Sequence, residues 1–240
     1  LQLGNIIRED HPSQAIKIHQ SLTVRPNISK ELKVDIHQAL ALDYEKINQF
    51  SKAKNEADQV LQIEKRNIWA LQYLLFLSEK EENWDQAVGL TKQIQKITGK
   101  HDPDDLARFQ VYKGLEKLKS GFPDEARSFF NKALKSSPDF GLPYRYLGDV
   151  FEQIRDLVKA VESWESFAVR DIKNASLVFG KIESALFDLG RYSEVENFYR
   201  RILEIDSSNF EAIIRLANVL EEKGEDGAAL SLIEDAIDPQ

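Results

Sequence analysis

Residues Gly114 to Pro138 read GLEKLKSGFPDEARSFFNKALKSSP. Small residues stand at Gly114, Gly121, Ala126 and Ala133, a large one at Phe130, and a helix-stopping Pro138 closes the stretch. This spacing predicts two antiparallel helices joined by a tight turn, with a small residue wherever the helices must cross closely and one ring filling the crossing.

The rest of the chain repeats the pattern. The small residue in the first turns of each second helix falls at Ala15, Ala53, Ala87, Ala126, Ala160, Val195 and Ala229, in steps of 38, 34, 39, 34, 35 and 34. A period held this close to 34 is that of the tetratricopeptide repeat. The expected fold is therefore all-α, a right-handed superhelical solenoid of about seven helix pairs. The whole of 1–240 reads as one array, with a possible bend at 98–105 separating 1–97 (three repeats) from 106–240 (four).

Punctuation along the chain agrees with that phase. In the first pair Gly4 precedes Ala15 by 11 residues, one fewer than Gly114 to Ala126 or Gly148 to Ala160, and His11-Pro12 would tighten the shortened turn. Ser29 and Asn67 are expected N-caps, and Gly121, Gly190 and Gly224 fall at inter-helix turns. In the long connection Gly99 suits a helix end, Asp102-Pro103 a helix start, and Asp104 and Asp105 the positive helix terminus. The last helix, from Ala228, is expected to end at Asp238-Pro239-Gln240 with apolar Leu230, Ile233 and Ile237 calling for more chain or a partner; the opening likewise reads as the interior of a longer chain.

With 42% hydrophobic and 30% charged residues the sequence can build a core. It has no cysteine, so these residues can form neither a disulfide nor a thiolate metal site. No apolar run approaches the ~20 residues that cross a bilayer. The net charge of −8 is unevenly placed: residues 1–120 hold 18 Lys+Arg against 17 Asp+Glu, and residues 121–240 hold 14 against 23. That balance disfavours nucleic acid and suits a basic protein surface.

Catalytic and metal constellations are not expected. His11, His19, His37 and His101 form no His-x-x-x-His pair, and His19 occupies a position where the repeat takes a large packing residue. Asp102, Asp104 and Asp105 lack the further oxygen ligands of a calcium loop and read as capping residues. No glycine-rich phosphate loop is present, so no cofactor is expected in this chain. Tyr44, Phe130, Phe151, Trp164, Phe179, Phe198 and Tyr199 fall at or beside core positions.

Candidate partner contacts are those on the groove-directed side of the first helices. They are Asn5, Arg8, Gln38, Gln72, Tyr73, Phe76, Tyr112, Arg145, Tyr146, Asp149, Arg215 and Asn218, with Tyr73, Phe76, Tyr112, Arg145 and Tyr146 at the centre. Aromatic, arginine and amide side chains in a row can hold an extended or helical peptide. A clamp for a C-terminal carboxylate is not assembled, because its Lys and Asn positions hold Gln38, Gln72, Tyr73 and Tyr112.

One stretch is more specific than the repeat. Gly4-Asn5-Ile6-Ile7-Arg8-Glu9, Ala15-Ile16-Lys17-Ile18-His19-Gln20-Ser21-Leu22, Arg25-Pro26, and Asp43-Tyr44 followed by Ala53 resemble the N-terminal repeats of the lipopolysaccharide assembly protein B family. The resemblance is specific over residues 3–60 and departs in the shortened first turn. It implies the repeat region of a tetratricopeptide heat-shock protein of the inner membrane, working on the cytoplasmic side. Such an adaptor brings the deacetylase that commits precursors to lipid A to a membrane AAA+ protease, and answers a membrane sensor of lipopolysaccharide. The same resemblance implies an N-terminal membrane helix and a rubredoxin-like zinc module with four cysteines, neither of which lies in these residues. The alternative is a tetratricopeptide scaffold for envelope or secretion machinery, without a link to proteolysis.

Overall fold

A computed structural model describes residues 1–237; the expected chain end at 238–240 lies outside them. The described residues form fourteen α-helices, one 3-10 turn (Ile172–Asn174) and no strand. The chain divides into two compact units, Leu1–Asp102 and Pro103–Gln240, at a point inside the 98–105 connection. In the first unit the pairs are α1 (Gln2–Ile7) with α2 (Pro12–Thr23), α3 (Lys30–Lys46) with α4 (Phe50–Ile63), and α5 (Ile68–Lys80) with α6 (Trp84–Thr98). In the second they are α7 (Pro103–Lys119) with α8 (Pro123–Ser136), α9 (Leu142–Gln153) with α10 (Leu157–Arg170), α11 (Ser176–Asp188) with α12 (Tyr192–Ile205), and α13 (Phe210–Glu222) with α14 (Asp226–Ile237).

All seven phase-marking residues are buried, each near the start of the second helix of its pair. Four residues further on stand His19, Phe130, Trp164 and Tyr199, also buried. These side chains need a partner without bulk. A Cβ on Gly4 would collide with the His19 ring, one on Gly114 with Phe130, and one on Gly148 with Trp164. Where the first helix carries Ala41 or Leu75 in that register, the second carries Ala57 or Thr91. Bulk is thus traded across the crossing, as a close-packed interior requires.

The ends of the helices follow from local chemistry. Ser29 accepts a hydrogen bond from the Leu32 amide (3.2 Å), Asn67 from Ala70 (3.0 Å) and Asn209 from Ala212 (3.1 Å). Pro12, Pro103 and Pro123 open helices where the missing amide is not needed. The turn within a pair has one fixed demand: the residue five before each marker adopts a positive φ. That position holds Gly121, Gly190 and Gly224, but also Asn48 (57°), Glu82 (53°) and Arg155 (61°). The first pair, one residue shorter here, has no positive φ in its turn.

Each unit has its own core. The first packs Ile36, Leu40, Leu71, Leu74 and Leu77 between its pairs. The second centres on aromatic residues, with Phe179 edge-on to Phe198 (5.6 Å between centroids) and to Tyr199 (5.2 Å). At its far end α14 leaves Leu230 and Ile237 exposed.

Gly148→Ala forces the Trp164 indole from its seat and should lower stability by ~1–3 kcal/mol, as overpacking does, and Ala126→Leu should act alike; thermal melting of each variant decides. In the opposite direction, Glu82→Gly removes a left-handed strain of ~1–2 kcal/mol that is partly offset by glycine's backbone entropy, so its urea midpoint should rise.

Candidate functional site

Within each unit the first helices of the pairs share one face. On the first unit it begins with a buried polar cluster. Asp43 on α3 is fully buried and receives two partners: the Arg8 guanidinium at 2.5 Å from α1 and the His19 Nδ1 at 2.5 Å from α2. His19 Nε2 faces the Leu1 carbonyl at 3.1 Å, an oxygen that can only accept, so that nitrogen carries a hydrogen. Arg8 also donates to the Asn5 side-chain oxygen (2.8 Å) and to the Ala39 carbonyl (3.3 Å). Arg8 and Asn5, expected as partner contacts, are therefore engaged in holding α1 against α3.

Tyr73, also expected as a partner contact, lies deeper. It is buried, its ring lies parallel to Trp69 (5.1 Å, 5°), and its hydroxyl donates to the Ala41 carbonyl at 3.2 Å. Burial first, then hydrogen bonding to Glu45, pushes the hydroxyl pKa well above its ordinary value. On the same helix Gln72 and Phe76 are exposed, while Gln38 on α3 is half-buried.

The second unit repeats the logic of the Asp43 cluster twice. Trp164 on α10 donates its indole hydrogen to Asp149 on α9 (3.1 Å), and Lys181 on α11 reaches Asp149 (3.0 Å) and Glu152 (2.8 Å). One pair later Tyr199 on α12 donates to Glu183 on α11 (2.6 Å), and Arg215 on α13 meets Glu183 (2.6 Å) and Glu211 (2.7 Å). In each case a large second-helix side chain with one polar atom is answered by a carboxylate, and the carboxylate by a cation. Burial and the Glu183 bond raise the Tyr199 pKa, so its hydroxyl stays a donor. Burial works against the charge of Lys181, but its bonds to Glu152 and Asp149 outweigh that and raise its pKa.

Asp149 and Arg215 thus take part in these ladders, with 23% and 31% of their side chains still exposed. Tyr146 is half-buried and stacked on Phe130 (5.8 Å, 23°), with the Arg145 guanidinium 5.4 Å from its centroid. Tyr112 lies edge-on to Phe109 at 6.3 Å. Asn218 is exposed. Beside them the structure adds Lys181, Glu183 and Glu152 to the polar row, and exposed Leu177 and Ile214 to the apolar one. Lys181 had a sequence signal, because Tyr73, Tyr112, Tyr146, Lys181 and Arg215 all stand fourteen residues before a phase marker. Leu177 and Ile214 had none, since an apolar residue on a helix reads as core.

Among the described residues no group of three or more His, Asp or Glu side chains is arranged to hold a metal ion. No described helix is long and apolar enough to cross a membrane. The two faces offer exposed aromatic, apolar and amide side chains at Gln72, Phe76, Leu177, Ile214 and Asn218, and a half-buried guanidinium at Arg145. Their chemistry is that of noncovalent contact.

No family model matches the chain. Among curated proteins, Lipopolysaccharide assembly protein B of Escherichia coli (strain K12) is 24% identical over 230 residues, covering 95% of this chain and 59% of that protein. The protein of the same name from Haemophilus influenzae (strain ATCC 51907) is 27% identical over 231 residues, with 95% and 58% covered. Among solved structures, a Signal Transduction ATPase with Numerous Domains protein with a tetratricopeptide repeat sensor, from Pyrococcus horikoshii, covers 98% of this chain and 40% of its own at 19% identity and a TM-score of 0.47. MamA (AMB-1) covers 70% of this chain and 89% of its own at 21% identity and a TM-score of 0.39. Along 95% of its length the chain is thus similar to Lipopolysaccharide assembly protein B, and it spans a little under three-fifths of those relatives' length.

Proposed function

We propose that the chain is the interaction module of a noncatalytic adaptor in the control of lipopolysaccharide synthesis. It would bring the deacetylase of the lipid A pathway to a membrane AAA+ protease and receive a signal from a membrane protein that senses lipopolysaccharide. The observation that carries this reading is similarity to Lipopolysaccharide assembly protein B across 95% of the chain, far beyond the residues 3–60 that first suggested it. The helix-pair architecture supports it, since stacked pairs leave the faces of their first helices open to a partner. The site for the array would be the cytoplasmic face of the inner membrane.

A noncatalytic role also agrees with how the polar groups are used. His19 and Asp43 sit 2.5 Å apart, the arrangement of a base and its orienting acid, but both are fully buried beneath Arg8 and the Leu1 carbonyl. A substrate has no approach to them. The remaining carboxylates of the faces are held by Lys181 and Arg215.

The experiment is capture of the deacetylase and of the protease on the purified chain. Both should be retained. Replacing three face residues together, Gln72→Ala, Phe76→Ala and Arg145→Ala, should weaken retention by about tenfold or more, the loss expected when contacts worth ~1.4 kcal/mol are removed. The melting temperature should move little, because none of the three is a core residue. Capture of neither protein would remove the adaptor reading and leave a scaffold of other envelope machinery.

A further inference from the structure

The turn edge of each unit carries a cavity built in the same register. In the first unit about 470 Å³ lies among Leu42, Glu45, Phe50 and Lys80. In the second about 300 Å³ lies among Phe187, Tyr192, Val195 and Val219, with Glu196 and Glu222 also lining it. Phe50 and Tyr192 each stand three residues before the marker of their own pair, Ala53 and Val195. Lys80 and Glu222 each stand seven residues before the marker of the next, Ala87 and Ala229. The two cavities share these two register positions, and there an ammonium beside the aromatic wall has been exchanged for a carboxylate.

The exchange changes what the site lacks. In the first unit Lys80 Nζ lies 3.9 Å from the centroid of Phe50, so the ring face is filled from within. In the second, Phe187 and Tyr192 face each other at 5.4 Å and 34° and remain 44% and 63% exposed. Among the described residues no lysine or arginine lies over either ring. Lys223 borders the cavity, but its ammonium is bound by Glu196 (2.6 Å) and Glu225 (2.9 Å). Helix physics does not account for Glu222 either. It ends α13, where the negative helix terminus favours a cation such as the Lys80 that ends α5.

An aromatic face beside a carboxylate attracts a cation, and apolar walls attract the methylene stem that carries it. Net charge selects the same class. The first unit holds 14 Lys+Arg against 14 Asp+Glu, whereas the second holds 18 against 26, the whole −8 of the chain. We propose that the Phe187–Tyr192 cavity receives a lysine or arginine side chain from a basic segment of a protein partner, filling from outside the place that Lys80 fills in the first unit. This rests on the adaptor reading for its partner but not for its chemistry.

The test is anisotropy of a fluorescein-labelled hexa-arginine peptide titrated with the full chain. Glu222→Lys should weaken binding by about tenfold, because it supplies the missing cation from within, and Tyr192→Ala by about fivefold, the scale of a lost cation–π contact. Glu204→Lys, the same change of charge at an exposed position of α12 outside the cavity, should weaken it by less than about twofold. Equal losses in Glu222→Lys and Glu204→Lys, or no binding by the unaltered chain, would overturn the proposal. So would unchanged binding in Tyr192→Ala; if that variant melts early, the comparison of the two lysine variants decides alone. Peptide binding without capture of the deacetylase or protease would keep the cavity and remove the adaptor reading. Capture undiminished in Glu222→Lys would remove the cavity from that reading.

Discussion

The structure depends on one close approach, the crossing of the two helices in each pair. At Gly148 there is no room for even a methyl group beside the Trp164 indole, and at Gly4 and Gly114 the same holds for His19 and Phe130. A helix-interior glycine is disfavoured by about 1 kcal/mol relative to alanine. That loss is offset only if the ring it admits buries enough apolar area, and a fully buried side chain of this class contributes ~1.5–3 kcal/mol. The crossing therefore works as a unit: glycine and ring must be present together, and the alternative solution, Ala41 opposite the small Ala57, changes both members.

The polar ladders are a consequence of that crossing rather than an addition to it. A phenylalanine at the crossing, as in Phe130, needs only an apolar neighbour and has Tyr146 stacked upon it. A tryptophan or tyrosine brings one polar atom, and a histidine two, into a dry place, where an unmet hydrogen bond costs ~1–3 kcal/mol. Asp43, Asp149 and Glu183 meet that need, and burying a carboxylate then demands a cation, supplied by Arg8, Lys181 and Arg215. Lys181 and Arg215 come from the first helix of the following pair, and at His19 the following pair supplies Asp43 itself, so the choice of core residue at one crossing fixes a charged residue on the next pair. Much of the charge on the first-helix faces is structural for this reason.

This dependence separates what could be read in the sequence from what could not. The pairs were legible because small residues recur at fixed spacing, and every phase marker from Ala15 to Ala229 is buried. The left-handed turn position was legible only where glycine occupies it. At Glu82 and Arg155 the same backbone is imposed on side chains that favour helix, because the crossing on either side fixes the path of the chain. The face was harder to read, since exposure depends on what lies across from a residue. Tyr73 and Phe76 are three apart on one helix, but the first is stacked on Trp69 with its hydroxyl on Ala41, and the second is open. Arg215 and Arg145 are both arginines of first helices; the first is bound to two carboxylates, whereas the second lies against the Tyr146 ring.

A repeat also allows one position to be closed in one copy and open in another without disturbing the fold. The turn edge lies outside the crossings, so the residue that ends each first helix is free of the packing that fixes Gly148 or Trp164. Lys80 uses that freedom to cover Phe50, in a unit whose charges balance. Glu222 leaves the corresponding aromatic wall uncovered, in the unit that carries all of the excess negative charge. Recognition can then change from copy to copy at little energetic consequence, while the crossings keep their small residues. The difference between the two edges is the kind of difference by which a helical array with one internal rule presents a partner with a specific place to bind.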